Sequence, residues 1–477
     1  MQKILLLIAS LFYFNFILAE NEIKSWQGIH ETPLSRLEQQ FAEPPVEFAN
    51  HVIWGWEGKM DKKTICNDLD SIKKKGFRAV IFEAGYKLPF KYLSEEWFKA
   101  IRTGVLEAKK RGMKVWIIDE GKYPSGFAGG KFSQERPDLR MQALVIGDTI
   151  QVKRGEVMTN HKIAPEIISA VAVSTSSAPN RTVAINNGEI SFNAGLDDWK
   201  ILLVKSDFRT AVTRAVNNPN GGKDATNSLC DYLNPVAVQQ FIDWTHEQYK
   251  KYLGKELGTT VLGFRGDEPD YAHLPWTPSI VQTFKETKGY DPTPYLASFF
   301  TASPTIQEQR VKADYWDVWS SLFATHFFKL QADWCAANGV AHITHLNKEH
   351  EMPACVKAEG DYFRNLSKVQ IPGVDAIWNQ IWPGTLNDFP KLASSVAHVY
   401  GKPRAFSESF AAYHISPTIP QAKFVVDHQI ARGINFFEFM FWPAGSKHRN
   451  WMSDPGMKGL NEYTNRTTYL MSQGKPG

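Results

Sequence analysis

The stretch that decides the fold is Val261-Leu262-Gly263-Phe264-Arg265-Gly266, which runs directly into Asp267-Glu268-Pro269. A short, mostly apolar run that ends in a turn is typical of a buried strand. The segment before it, Pro235–Leu253, has helical periodicity and stops at Gly254. A helix followed by a buried strand is the repeating unit of an α/β protein with a parallel sheet.

Seven more runs of this kind follow residue 51 and alternate with helical patterns such as Asp61–Lys75 and Glu95–Arg111. Strand–helix alternation favours a parallel sheet with helices outside, and eight repeats favour closure. The sequence therefore predicts an α/β protein, a (β/α)₈ TIM barrel. The other predicted strands are Val52–Trp56, Ala79–Glu83, Lys114–Asp119, Ala341–Leu346, Asp375–Ile381, Pro403–Phe410 and Asn435–Trp442.

One interval interrupts the alternation and predicts a small β-rich insertion after the third strand. Its β-rich runs are Ala143–Val152, Ile168–Ser174 and Trp199–Lys205, and residues 217–222 read as a return loop. The expected organisation is a signal peptide (1–19), an approach segment (20–50), the barrel (51–140 and 214–477) and the inserted module (141–213). No accessory domain is expected after the barrel.

The first nineteen residues resemble a secretory signal, with Lys3 before the apolar stretch Ile4–Leu18 and Ala19 at the cleavage site. An uncleaved anchor is the alternative, but Asn15 interrupts the stretch, which is short for a bilayer. We therefore expect an exported protein, periplasmic or secreted, with no membrane association after cleavage. The four cysteines form no CxxC pair, and their disulfide pairing stays open.

Composition excludes several classes of function. Lys and Arg number 54 against 50 Asp and Glu, so a net charge of +4 gives no reason to expect a nucleic-acid partner. No GxSxG or HExxH motif supports a serine esterase or a zinc peptidase. The unusual quantity is the aromatic content of 13%, with 15 tryptophans. Excess tryptophan suits flat apolar faces that stack on ligands, although most of it will be core.

Acidic residues follow six of the eight predicted strands, at the edge where barrel enzymes place their sites. Carboxylates bind sugar hydroxyls and indoles stack on pyranose faces, so this acidic mouth with a tryptophan rim predicts a sugar site. The acidic residues are Glu57, Glu83, Asp119, Glu120, Asp267, Glu268, Glu408 and Glu438. The rim tryptophans are Trp54, Trp56, Trp378, Trp382 and Trp442.

Glu268 and Glu408 are the candidate catalytic pair. Glycoside hydrolysis needs one protonated and one ionised carboxyl across the scissile bond, and many barrel glycosidases carry them after strands four and seven. The alternative for either residue is a structural cap or a rim salt bridge. Strand alternation places Asp267 opposite Glu268, so we expect Asp267 to orient its neighbours.

Other polar residues near the predicted strand ends have weaker signals. His345 and Asn347 share a strand face and are candidate contacts to substrate hydroxyls. His342 and His345 face opposite sides of a strand, so joint zinc ligation is not expected. Glu438, among Phe and Met neighbours, is either a substrate ligand or a buried ion-pair partner, and the sequence leaves both readings open. The metal ligands, if any, are unknown at this stage.

Several linked motifs lie along the chain, at residues 119–126 with 129–130, 230–235 before 266–269, 359–361 with 371–375, 400–403, and 427–429 with 433–435. Together they resemble glycoside hydrolase family 106, the α-L-rhamnosidases and their uncharacterised relatives, over roughly residues 45–475. The resemblance implies an inverting, exported sugar-cleaving barrel that requires no cofactor for its chemistry but admits a bound Ca²⁺. It also implies that Glu268 is the general acid and Glu408 the general base.

The sequence thus predicts an exported glycoside hydrolase that resembles an inverting α-L-rhamnosidase and acts on oligosaccharides or polysaccharide side chains. Substrate contacts are expected from Trp56, Glu57, Glu83, Asp119, Glu120, Asp267, His345, Asn347, Trp378, Glu438 and Trp442. Two alternatives are a retaining glycosidase of other sugar specificity and a non-catalytic carbohydrate-binding barrel. Typical family members are longer, with β-sandwich domains after the barrel. The sugar, its linkage and the oligomeric state stay open.

Overall fold

The computed structural model describes residues 24, 26–176, 178–210, 213–214, 223–224, 228–271, 274–385, 387–445 and 451–474. The predicted signal segment 1–19 and the predicted return loop 217–222 lie outside these residues. Every helix within the described ranges is too short or too polar to cross a lipid bilayer.

Eight parallel strands close into one barrel, and their spatial order follows the chain. The last strand pairs with the first, with His51 opposite Glu438, which closes the sheet. The predicted (β/α)₈ fold is confirmed. The strands are β1 (His51–Trp56), β2 (Ala79–Ala84), β3 (Lys114–Ile118), β4 (Val261–Gly266), β5 (Ala341–Thr344), β6 (Ile371–Ala376), β7 (Phe406–Ser409) and β8 (Phe436–Pro443).

Helices surround the barrel and begin at the caps that the sequence supplies. The Asp61 carboxylate accepts the Thr64 N–H, and the Ser94 hydroxyl accepts the Trp97 N–H. The helices are α1 (Leu34–Ala42), α2 (Lys62–Lys74), α3 (Glu95–Lys110), α4 (Lys131–Glu135), α5 (Pro235–Trp244), α6 (His246–Leu253), α7 (Ile280–Lys288), α8 (Ile306–Leu322), α9 (Lys329–Ala337), α10 (Met352–Glu359), α11 (Tyr362–Leu366), α12 (Pro390–Val399), α13 (Ile419–Ile430) and α14 (Met457–Met471). A π-helical segment, Phe323–Phe328, joins α8 to α9.

Between β3 and β4 the chain forms additional antiparallel strands. The longest are Gln142–Val152, Ile167–Ser174 and Trp199–Phe208, which pair side by side. Trp199, Ile201 and Leu203 point into a separate small core, whereas Leu202 and Val204 join the main core. Both faces of this sheet are therefore buried in part, which explains its nearly continuous apolar runs. Shorter strands are Val157–Lys162, Arg181–Thr182, Ile185–Asn186, Glu189–Asn193, Thr213–Arg214 and Lys223–Asp224. After β4, the short strand Pro275–Trp276 pairs with the start of Gln142–Val152.

The sixth strand lies earlier than its sequence prediction, at Ile371–Ala376 rather than Asp375–Ile381. Pro372 and Gly373 look like turn residues, but here they lie within a barrel strand. The missing side chain of Gly373 makes room for the ring of Phe406, which would lie 2.1 Å from a Cβ at that position. As a result, Asp375 lies at the mouth end of its strand.

The lower part of the barrel is filled by apolar side chains. Ile53, Ile81, Trp116, Ile343 and Phe406 are buried together in this inner core. The polar residues of the mouth lie above this apolar layer, near the carboxyl ends of the strands, whereas buried His51 lies within it against Trp116 and Phe436.

Candidate active site

Strand alternation sets the residues of the mouth. Every second side chain of a strand faces the barrel interior. The residue two positions after an inner apolar residue therefore also faces inward, nearer the carboxyl end of the strand. Ile81 is followed in this way by Glu83, Ile343 by His345, Phe406 by Glu408, and Phe436 by Glu438. All four polar residues are buried, with exposures of 6% or 7% for Glu83 and Glu408 and 1% or less for the other two.

Arg265, on β4, connects these carboxylates. Its guanidinium lies 2.7 Å from Asp267 (Nη1 to Oδ1) and 3.1 Å from Glu438 (Nε to Oε2), and it also contacts Glu408. The side chain is completely buried, so its charge must be balanced by these partners. Arg265 was quoted in the fourth predicted strand but not identified as a site residue, because a single arginine in an apolar run has no distinctive pattern.

His345 is the second cation of the cluster. Its Nε2 lies 3.3 Å from Asp267 and 3.5 Å from Glu408, and its Nδ1 lies 3.4 Å from Glu349. Burial alone would lower the pKa of His345, but hydrogen bonds to these carboxylates outweigh it and raise the pKa well above its usual range. His345 therefore contacts carboxylates of the protein, and its contact with substrate hydroxyls stays a prediction.

Glu268 lies just beyond β4 and is half-buried. Its φ of 39° is left-handed, so the alternation that would have separated it from Asp267 does not apply. Burial, and then the charge of Asp267, raise the pKa of Glu268 to about 8. Asp267 itself is held below its usual pKa by Arg265 and His345, although burial acts in the opposite direction.

Asp375 is a mouth residue that the sequence prediction missed. It is buried, its Oδ1 has no hydrogen-bond partner among the described residues, and one carboxylate oxygen lies within 4.8 Å of Glu268. Burial and then Glu408 raise its pKa well above the usual range. Its position at the mouth would have been evident had the sixth strand been placed correctly.

Glu438 and Glu83 are engaged by protein cations rather than left open to substrate. Glu438 has no solvent exposure and pairs with Arg265, which favours the ion-pair reading that the sequence left open. Glu83 lies 2.9 Å from the ammonium group of Lys122. Glu57 is half-buried after β1 and folds against Gly85. Lys122 is a mouth residue that sequence reasoning missed.

Asp119 and Glu120 are engaged by the loop after β3, and their contact with substrate stays a prediction. The carboxylate of Glu120 accepts the backbone N–H groups of Gly121, Ala128 and Gly129, and Asp119 accepts the hydroxyl of Ser125. The two side chains are buried and hold the loop after β3 in place. The Ser125 hydroxyl in turn accepts the Asp267 N–H, so this loop also fixes the end of β4.

The prediction of a tryptophan rim around the mouth is largely wrong. Trp54, Trp56 and Trp442 point outward into the core beneath the helices, and Trp56 packs against Trp97 of α3 with ring centroids 5.8 Å apart. Trp382 is partly buried against the same core, and Trp378 is 50% exposed. The composition argument for sugar stacking therefore depends on the loop after β6.

His342 in β5 and His345 just after it belong to different surroundings. His342 lies in the outer core beside His246 and Cys335. His345 belongs to two groups of neighbouring donors, one with Asp267 and Glu408 and the other with Glu268 and Asp375. Calcium in proteins is bound by six to eight oxygens. Each mouth group includes an imidazole nitrogen, and Arg265 already contacts two of the carboxylates. These donors do not fit the calcium ion that the resemblance admits. Asn347 is half-buried beyond β5, and its N–H is bonded to buried Glu359.

Comparisons with known proteins agree with this architecture. A Formosa agariphila protein named "Putative beta-glucuronidase" is 24% identical over 517 aligned positions, which cover 93% of this chain and 42% of the relative. A rhamnosidase structure from Novosphingobium sp. PP1Y has the same fold, with a TM-score of 0.68 and 15% identity over 92% of this chain and 61% of that one. The chain thus spans about two fifths of the curated relative.

The family comparison is more specific. The family model described as alpha-L-rhamnosidase matches residues 156–476, which is more than half of the 477 residues. That match includes β4 to β8, the strands that carry Arg265, His345, Asp375, Glu408 and Glu438. The chain belongs to glycoside hydrolase family 106.

Proposed function

We propose that this protein is an exported, inverting glycoside hydrolase that removes a rhamnose-type sugar from polysaccharide side chains. Glu268 is the general acid and Glu408 the general base. The observation that carries the proposal is that these two carboxyls share one mouth in opposite electrostatic surroundings. One lies beside a carboxylate, and the other contacts two cations.

Glu268 is suited to donate a proton. A pKa of about 8 keeps its carboxyl protonated at neutral pH, and its half-buried position beyond β4 leaves it accessible from the mouth. In the reaction, the Glu268 proton passes to the glycosidic oxygen as the bond to the anomeric carbon breaks. Asp267 supports this role because its negative charge disfavours ionisation of Glu268.

Glu408 is suited to accept a proton. Arg265 and His345 contact its carboxylate and hold it at the mouth. In an inverting reaction Glu408 removes a proton from the water that attacks the opposite face of the anomeric carbon. We expect the two carboxyl groups to be about 6.5–9.5 Å apart in the working enzyme, since sugar and water must fit between them.

The cleaved sugar is expected to be uncharged. Among the described residues of the mouth, each cation already has a carboxylate: Arg265 has three, His345 contacts Asp267 and Glu408, and Lys122 pairs with Glu83. A glucuronate at the scissile position would lack a free cation there. This favours a neutral deoxysugar, in line with the family, over the activity in the name of the Formosa relative.

Two measurements test the proposal. The purified protein is offered aryl glycosides that include an α-L-rhamnoside and a β-glucuronide, and the product anomer is followed by NMR. We expect release of the rhamnoside with inversion. Retention of configuration would support the retaining alternative, and silence across the series together with oligosaccharide binding would support the non-catalytic barrel. Recovery of a chain that begins at Glu20 outside the cytoplasm tests export.

A further inference from the structure

A cavity of about 610 Å³ adjoins the mouth and has a different lining. Its basic side chains are Lys312, Lys348 and Lys357, and its aromatic ones include Trp316, Phe299 and Phe300. We call these six residues the lysine pocket. Its volume is in the usual range for a ligand site and would hold a sugar residue with room to spare.

The lysine pocket lies on the acid side of the mouth. Asp270, in its wall, is two residues after Glu268, and Lys348 is three residues after His345. Helix α10 supplies Lys357 and ends at Glu359, whose pKa is raised by burial and then by Asp270, with a smaller effect from Glu268. Glu359 is therefore close enough to both Asp270 of the pocket and the acid Glu268 for their charges to raise its pKa. Since the acid protonates the departing oxygen, this is the side of the leaving group.

The charges of the lysine pocket are unbalanced. None of the three lysines forms a salt bridge with any residue that the structure describes, and all three are exposed. The one carboxyl in the lining is Asp270, whose pKa is raised by burial and lowered by the nearby charge of Lys348, so the three lysines still outnumber the carboxyls of the lining. The mouth has the opposite character, because its cations are each in contact with carboxylates. An uncompensated positive pocket beside an acidic mouth attracts an anionic group.

The aromatic residues add flat apolar surface to this charge. Trp316, Phe299 and Phe300 are half-buried, and the ammonium of Lys312 lies 5.6 Å from the centroid of the Trp316 ring. A pyranose presents apolar C–H faces that pack on such rings, while its acidic substituent requires cations. Aromatic faces combined with free ammonium groups thus match a sugar that carries a negative charge.

We propose that the lysine pocket binds an acidic sugar residue on the leaving-group side of the scissile bond. The anionic group is a carboxylate or a sulfate ester, since both carry negative charge and accept hydrogen bonds from lysine ammonium groups. This inference deepens the proposed function and rests on it. The enzyme would then cleave a neutral sugar from an acidic chain, with the cleaved sugar in the mouth and its acidic neighbour in the lysine pocket.

The test compares matched substrates. They are α-L-rhamnosyl-glucuronic acid, its carboxyl-reduced neutral counterpart, a sulfated form of that counterpart, and an aryl α-L-rhamnoside without a second sugar. We expect kcat/KM for one of the acidic disaccharides to exceed that of the neutral one about tenfold, mainly through KM, as several exposed ion pairs would give. Raising NaCl from about 0.05 M to about 0.5 M should shrink this preference, because exposed charges are screened.

Variants assign the effect to the pocket. The combined change Lys312→Gln, Lys348→Gln and Lys357→Gln should bring acidic and neutral substrates to near parity while leaving the aryl rhamnoside unaffected. A control that removes the same charge from exposed lysines elsewhere, Lys63→Gln, Lys200→Gln and Lys251→Gln, should keep the preference.

The outcomes are distinguishable. Equal rates on acidic and neutral disaccharides by a wild type that cleaves the aryl rhamnoside would overturn the lysine pocket and leave the proposed function standing. Failure on every rhamnoside would overturn the proposed function. Calorimetry of the glucuronate, sulfated and neutral disaccharides with the wild type and the triple variant would then still decide the pocket. Which acidic disaccharide is preferred identifies the carboxylate or the sulfate as the group bound.

Discussion

Two barrel strands end in the same dipeptide, Asp119-Glu120 after β3 and Asp267-Glu268 after β4, yet the four carboxyls do different things. Glu120 accepts three backbone N–H groups of its own loop, whereas Glu268 accepts no hydrogen bond from the described residues and lies open to the mouth. Asp119 binds a loop serine, and Asp267 binds Arg265 and His345. The role of a carboxyl is therefore set by the groups that satisfy its oxygens.

The sharpest test of this difference is the change of each glutamate to glutamine. Glu268→Gln and Glu408→Gln should each lower kcat on an aryl rhamnoside by about 10²–10⁴, the usual contribution of a positioned acid or base. The expected reason is the loss of proton transfer in a mouth that keeps its shape, so circular dichroism and sugar binding should change little.

Glu120→Gln is the matched control for that experiment. The amide cannot accept all three N–H groups, so we expect a loss of about 1–3 kcal/mol in the free energy of unfolding, with some activity retained in the folded fraction. Full activity of Glu268→Gln, or a larger loss of kcat in folded Glu120→Gln, would reverse the assignment of the two dipeptides.

Arg265 extends the comparison from the ends of the strands to their interior. Arg265→Met would leave Asp267, Glu408 and Glu438 buried without their common cation, at a cost of about 3–5 kcal/mol in unfolding free energy. Denaturant unfolding measures it. The exposed pair Arg136–Asp138, with a separation of 2.7 Å, is the control, and Arg136→Met should cost about 1 kcal/mol or less. Equal losses of unfolding free energy would show that Arg265 stabilises the fold no more than an exposed ion pair does.

The contrast also explains which parts of the molecule could be predicted. Apolar runs and helix caps are local signals, so the eight strands and the boundaries of α2 and α3 followed from the sequence, except where Pro372 and Gly373 imitated a turn. Glu268 and Glu408 could be selected by their positions after strands. The roles of Asp119, Glu120 and Trp56 could not, because they depend on which way a loop folds and which side of the sheet a ring faces.

Arg265 and Asp375 show the same limit from the other direction. Each is a single polar residue within a mostly apolar strand, and only barrel closure brings it beside carboxyls from other strands. Contacts of this kind depend on how the strands align around the closed barrel, which no local sequence pattern reveals.

The pH profile tests whether Asp267 controls its neighbour Glu268. Because burial and the charge of Asp267 raise the pKa of Glu268 to about 8, the acid is protonated at neutral pH, and kcat/KM should fall about tenfold per pH unit above that value. Asp267→Asn removes the charge and should move this alkaline limb to lower pH. Circular dichroism across the same range checks that the fold is retained. An unmoved limb would mean that the acid is another group.

The smallest expected effect concerns the tryptophans, because composition could not distinguish those in the core from those that face substrate. Trp378 is 50% exposed after β6, with its ring 6.4 Å from His350, and its face is available to a sugar. Trp378→Ala should raise KM about 2- to 10-fold with kcat nearly unchanged, the scale of one aromatic contact. Trp56→Phe, under α3, should instead lower the melting temperature and leave KM alone, because that ring is buried against Phe82 and Trp97. Steady-state kinetics and thermal unfolding of the two variants separate a ring that meets substrate from one that meets only the core. If KM rises in Trp56→Phe and not in Trp378→Ala, the exposed ring of Trp378 does not stack on the sugar, and the buried ring of Trp56 affects substrate binding.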